Sequence, residues 1–151
     1  MQMQQPEHKK LEIFVGKWNT VGLIKETAEN PAVRMTGTDT YEWLPGNYVL
    51  LHKVDVSFGI ERKQSMEVIG YDTSSGTYRM HYFDPEGNSG SMEAREQNGS
   101  WIFLSQSLRF SGKFSEDGKT LSGIWERSSN GVSWMHWMDI KLTKLIEGRD
   151  Q

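Results

Sequence analysis

Four polar residues, Asp39, His52, Arg127 and His136, interrupt otherwise apolar faces of alternating sequence, and they are the groups through which this chain could do chemistry. Along residues 33–43, Val33, Met35, Gly37, Asp39, Tyr41 and Trp43 share a face, opposite Arg34, Thr36, Thr38, Thr40 and Glu42. Further on, Tyr48, Leu50, His52, Val54, Val56 and Phe58 oppose Lys53, Asp55 and Ser57. Leu121, Gly123, Trp125 and Arg127 likewise oppose Ser122, Ile124, Glu126 and Ser128, and Trp134, His136, Met138, Ile140 and Leu142 oppose Ser133, Met135, Trp137, Asp139 and Lys141. A charge in a low-dielectric interior is costly unless it is paired, wet or bound. Two arrangements meet that demand, and they can coexist. One is an internal Asp39 and Arg127 pair with two hydrogen-bonded histidines. The other is a ligand cavity: Tyr41, Trp43, Tyr48, Leu50, Trp125 and Trp134 form its apolar wall, and His52, Arg127 and His136 anchor a polar or anionic head.

Other chemistries find less support. The chain has no Cys, which removes thiolate catalysis and thiolate metal sites. His52, His81 and His136 lie on three different strands without an H-x-H or H-x-x-x-H pair, so no metal site is assigned. Gly87-Asn88-Ser89-Gly90 fails the nucleophile-elbow spacing, and no glycine loop that would cradle phosphate is present. No catalytic residue is therefore assigned. General acid/base work by His52, His136, Asp39 or Glu67, of the isomerase or cyclase kind, is the alternative to simple binding. With a net charge of -3 and only Lys9-Lys10 and Arg62-Lys63 as adjacent basic pairs, the chain offers no surface for nucleic acid.

The elements that must hold these groups are almost all strands. Pro6 to Phe14 reads as one short helical segment, with Pro in the first turn and Leu11 and Phe14 three residues apart. Beyond it the period is two, broken every 8 to 12 residues by turn chemistry. Asn98-Gly99, Asn130-Gly131 and Asp117-Gly118 are dipeptides for tight hairpins. About ten strands result, near 18–25, 33–44, 47–58, 63–72, 76–83, 89–97, 100–107, 109–115, 120–129 and 132–143. Short links between consecutive strands favour an up-and-down antiparallel β-barrel, which has no edges. The expectation is one all-β domain over 1–151, with 1–10 a loose tail or the start of the helix.

Alternation leaves open which way Arg79, His81, Glu93 and Arg95 face, and it places Trp137 and Met135 outside, where they could form a homodimer contact. No run approaches the roughly 18 apolar residues that span a bilayer. MQMQQPEHKK lacks the apolar stretch of a secretory signal, so a cytoplasmic protein without membrane insertion is expected.

Leu11 to Gly22, LEIFVGKWNTVG, carries a Gly16-x-Trp18 arrangement that resembles the entry motif of the calycins, the lipocalins and fatty-acid-binding proteins. That likeness implies a barrel whose end is plugged by Trp18. TGTDTYEWLPGNYVLLHKVDV, IGYDTSSGTYRMHYFDPEGN and WERSSNGVSWMHWMDIKLTK together resemble a family of small bacterial proteins of unknown function with a lipocalin-like barrel. The nitrobindins, haem-carrying barrels, share a glycine and tryptophan signature, but Thr20 stands here where that pattern has glycine. This more distant resemblance implies haem as a possible cofactor, with His136 as the proximal ligand.

Overall fold

A computed structural model describes residues 6–146. Pro6 opens helix α1 (Pro6–Lys10), where its missing N–H costs nothing, and α1 runs directly into a 3₁₀ turn, Leu11–Phe14. Gly16, at φ 135°, turns the chain from there into the first strand, and a Cβ on it would lie 2.6 Å from Lys144. Ten strands follow: β1 (Gly16–Ile24), β2 (Val33–Trp43), β3 (Val49–Phe58), β4 (Glu61–Asp72), β5 (Thr77–Phe83), β6 (Ser89–Gln97), β7 (Ser100–Leu104), β8 (Leu108–Phe114), β9 (Thr120–Arg127) and β10 (Met135–Lys144). Each pairs antiparallel with its sequence neighbours and β1 pairs with β10, closing the barrel. Closure satisfies every strand edge within the sheet.

Of the three hairpin dipeptides, only Asn98-Gly99 forms a two-residue turn, between the paired Gln97 and Ser100, with φ of 53° and 84°. Asp117-Gly118 lies inside a longer loop closed by the Ser115 N–H on the Thr120 carbonyl. Asn130-Gly131 lies in the segment 128–134, where the Asn130 side chain accepts the N–H groups of Val132 and Ser133. A side chain that takes over backbone donors in this way lets the loop lengthen. A second two-residue reversal sits at Gly59-Ile60, between the paired Phe58 and Glu61.

The barrel has two unlike ends. At one end α1 and the 3₁₀ turn lie across the opening. Leu11, Phe14 and Trp18 are buried there, and the Trp18 indole donates to the Phe14 carbonyl at 2.8 Å. The Tyr78 hydroxyl donates to the Glu7 carbonyl, and the Trp43 indole to Glu12 at 2.7 Å. At the other end the loops 25–32, 59–60, 84–88, 105–107 and 128–134 carry no helix across the opening.

The expected inner faces of β2, β3 and β9 are the ones observed, but β10 is split. Its register to β9 shifts between His136 and Met138, a bulge that reverses alternation on one side of itself. Met138 and Leu142 are buried as expected, whereas upstream Trp137 turns inward and Trp134 and His136 turn outward. On β5 and β6, Tyr78, Met80, Met92 and Ala94 are buried, so Arg79, His81, Glu93 and Arg95 face out.

Candidate functional site

Inward-facing residues alone do not make a cavity; their bulk decides it. Towards the plugged end they are large: Phe14, Trp18, Tyr41, Tyr78 and Trp101 are all buried and in ring contact with one another or with Phe114. Towards the other end they are Met35, Val54, Val56, Met80, Met92 and Met138, with Thr20 and Ser65 between them. Flexible and small side chains leave there a cavity of about 370 Å³, walled on its remaining sides by Phe103, Phe110, Trp125 and Trp137. Phe110 is seated by two glycines: a Cβ on Gly112 or Gly123 would lie 2.4 or 2.7 Å from its ring.

One polar chain runs along the cavity wall. Tyr41, His52, Glu67 and Tyr82 are directly opposite one another on four consecutive strands. His52 Nδ1 is 2.9 Å from Glu67 Oε1, and its Nε2 is 2.7 Å from Asp39 Oδ1. The Thr20 hydroxyl donates to Asp39 Oδ2, and the Tyr41 ring stacks on the imidazole at 3.9 Å between centroids. All four members of the Thr20–Asp39–His52–Glu67 chain are buried.

A neutral imidazole donates from only one nitrogen. Both ring nitrogens of His52 face a carboxylate, so two protons must be shared among the three groups. Burial alone would push the imidazole pKa down; the hydrogen bonds to Asp39 and Glu67, and their charges, outweigh it and hold it at about 9. Burial, with the charges of Asp39 and Glu67 behind it, also drives the Tyr41 phenol well above its ordinary range, so that ring stays neutral.

The residues expected to form the site are dispersed. Tyr41, His52 and Trp125 line the cavity. Leu50, fully buried, and Trp43 pack in the plugged half, and Tyr48 lies edge-on to the His8 ring beneath α1. Arg127, the last residue of β9, has the inward phase but reaches solvent, its guanidinium 3.7 Å from the centre of the Trp137 ring. Trp134 and His136, expected inside, are outside because of the bulge: Trp134 carries the Arg109 guanidinium, and His136 Nε2 lies 2.9 Å from Asp139. The internal partner of Asp39 is His52 rather than Arg127.

This placement bears on metals. His136 is outside, and His52, the one imidazole lining the cavity among the described residues, has both nitrogens engaged, so these positions do not fit a proximal haem ligand. Among the described residues no group of three or more His, Cys, Asp or Glu is arranged to hold a metal ion. Trp137, expected at an external contact, lines the cavity; Met135 beside it is exposed.

Thr20, Met80, Met92, Phe103, Phe110 and Met138 complete the wall without having been singled out for it. Glu67 carried a readable signal. With the Gly59-Ile60 turn fixed, alternation and pairing set Glu67 opposite His52.

A family described as "Protein of unknown function (DUF1579)" matches residues 3–122. No curated protein matches the chain. The crystal structure of Rv2717c from M. tuberculosis is similar at a TM-score of 0.66 and 10% identity, over 95% of this chain and 100% of that one. A de novo designed fluorescence-activating β-barrel is similar at 0.47 and 9% identity, over 89% and 95% of the two chains. Among the described residues no helix is long and apolar enough to cross a membrane.

Proposed function

The chain belongs to the DUF1579 family, whose function is unknown, and we propose that it is a binding protein that takes a small, largely apolar molecule into the unplugged half of its barrel. The observation that carries this reading is the 370 Å³ cavity, whose wall is apolar except for the Thr20–Asp39–His52–Glu67 chain with Ser65 and the two tyrosines. That volume lies within the roughly 300–1,000 Å³ of ordinary small-molecule sites. Four methionines on the wall adapt to different shapes at small cost.

Two of the six tryptophans, Trp125 and Trp137, line this cavity, so binding has an intrinsic reporter. Titrating 1-decanol below its solubility limit is expected to change tryptophan emission saturably, and a W125F/W137F variant is expected to lose most of that change. Emission that never moves, or that moves equally in the variant, would count against the reading. A native mass spectrum of freshly purified protein beside a denatured one adds the identity of any mass released.

A second reading rests on the His52 environment. An imidazole between two carboxylates on a cavity wall could act on a bound substrate as in isomerases or cyclases. Because its pKa is held at about 9, it is protonated at neutral pH and would serve as a general acid. That reading predicts that His52→Gln abolishes turnover of a substrate while changing its affinity little; the binding reading predicts an effect on affinity alone.

A further inference from the structure

We propose that the ligand of this cavity carries a cationic head, an ammonium group on an apolar tail, seated against Glu67 and the His52–Asp39 pair. The proposal rests on the lumen-binding reading and adds the charge of the occupant.

The argument is one of proton and charge count. Two hydrogen bonds link His52 to its two carboxylates, and they require two protons. Whether both sit on the ring or one sits on a carboxyl, the three groups carry a net charge of one negative. Every group facing them from the surrounding strands is uncharged: Thr20 from β1, Tyr41 from β2, Ser65 from β4 and Tyr82 from β5. Among the described residues no Lys or Arg lines the cavity. Arg127 stands at the mouth on the Trp137 ring and is exposed. One negative charge is thus left without a cation in an apolar cavity, a state that binding a cation relieves and binding an anion worsens.

Glu67 also offers the contact. It uses Oε1 for His52, and Oε2 makes no hydrogen bond within the described protein. Among the described residues no buried side-chain oxygen or nitrogen lacks a partner, so Oε2 is reached from the lumen although Glu67 is only 8% exposed. Trp125 also lines the cavity, and an aromatic ring favours a cation over an anion. The polar or anionic head expected from the sequence was to be anchored by His52, Arg127 and His136. In the folded chain the first is over-neutralised, the second is at the mouth and the third is outside.

Three probes of one tail length separate head charge from tail burial: decyltrimethylammonium, 1-decanol and decanoate, each titrated calorimetrically below its aggregation limit. The expected order of affinity is ammonium, then alcohol, then carboxylate, with about tenfold or more between the two ions. Glu67→Gln, which keeps shape and removes the charge, is expected to bring the ammonium to within about threefold of the alcohol. Decanoate binding as tightly as the ammonium overturns the proposal, and so does a Glu67→Gln protein that keeps the full preference. Should the variant fail to fold, the order of the three probes on the unaltered protein decides alone. Decanol binding without any preference for the ammonium overturns the head and spares the lumen-binding reading. If none of the three binds, both fall.

Discussion

The plugged and unplugged halves of this barrel are built from the same ten strands, yet one is packed solid and the other is not. In the plugged half, Phe14 from the 3₁₀ turn meets Trp101 and Phe114 edge to face, and Phe114 in turn packs tilted on Trp18, which is 1% exposed. In the other half the inward positions are held by methionine, valine, threonine and serine, and the largest side chains form one wall around a void. Interiors normally pack to crystal-like density. On the binding reading proposed above, the difference gives stability to one half and recognition to the other.

That division can be broken experimentally, most sharply in the plugged half. Trp18→Ala should cost about 3–5 kcal/mol in denaturant unfolding, the range for buried aromatic truncations. A loss under about 1 kcal/mol would mean that this end does not hold the fold.

A smaller effect should come from the polar chain, read as a pH profile. The His52 pKa is raised from 6.5 to about 9 in the folded protein. A group whose pKa rises on folding adds stability in full below the unfolded value, and that stability is lost as pH climbs through the folded value. Stability should thus fall between pH 6.5 and about 9, by ~3 kcal/mol at most given ~1.36 kcal/mol per unit. His52→Gln should flatten that slope in urea titrations across the window; an unchanged slope would detach the pH dependence from this residue.

Below that comes the wall of the void. Met92 is 7% exposed but faces the cavity, so its atoms already lack partners on one side. Met92→Ala should cost about 1–2 kcal/mol, under the usual range for a packed methionine, and should alter ligand affinity. A loss as large as that of Trp18→Ala would show the two halves to be equally packed. The smallest effect belongs to the mouth, where Arg127→Ala removes an exposed stacking contact on Trp137. Thermal unfolding should register no more than ~1 kcal/mol.

Much of this architecture was legible in the sequence because a closed meander has few alternatives once short turns separate alternating strands. The inner faces of β2, β3 and β9 followed from period two, and with them Tyr41, His52 and Trp125 on the cavity wall. Depth did not follow. Leu50 and Trp43 share the inward face of their strands with cavity residues but lie towards the plugged end, and Tyr48 falls just before β3; alternation says nothing of height along the barrel or of where a strand begins. The bulge in β10 was equally silent. Trp134, Met135, His136 and Trp137 place an aromatic or a methionine on both faces, so either phase reads as apolar. Arg127 illustrates a third limit, since a residue of inward phase at a strand end reaches solvent.

The central claim is that the unplugged half is a void open to a guest, and methionine methyl groups report on it directly. Met35, Met80, Met92 and Met138 line the cavity, whereas Met66, next to the inward Glu67 on β4, is exposed on the outside. In protein labelled with ¹³C at the methionine methyls, adding 1-decanol is predicted to shift the four cavity signals together and saturably, leaving Met66 in place. Four unmoved cavity signals, or a shift confined to Met66, would contradict it.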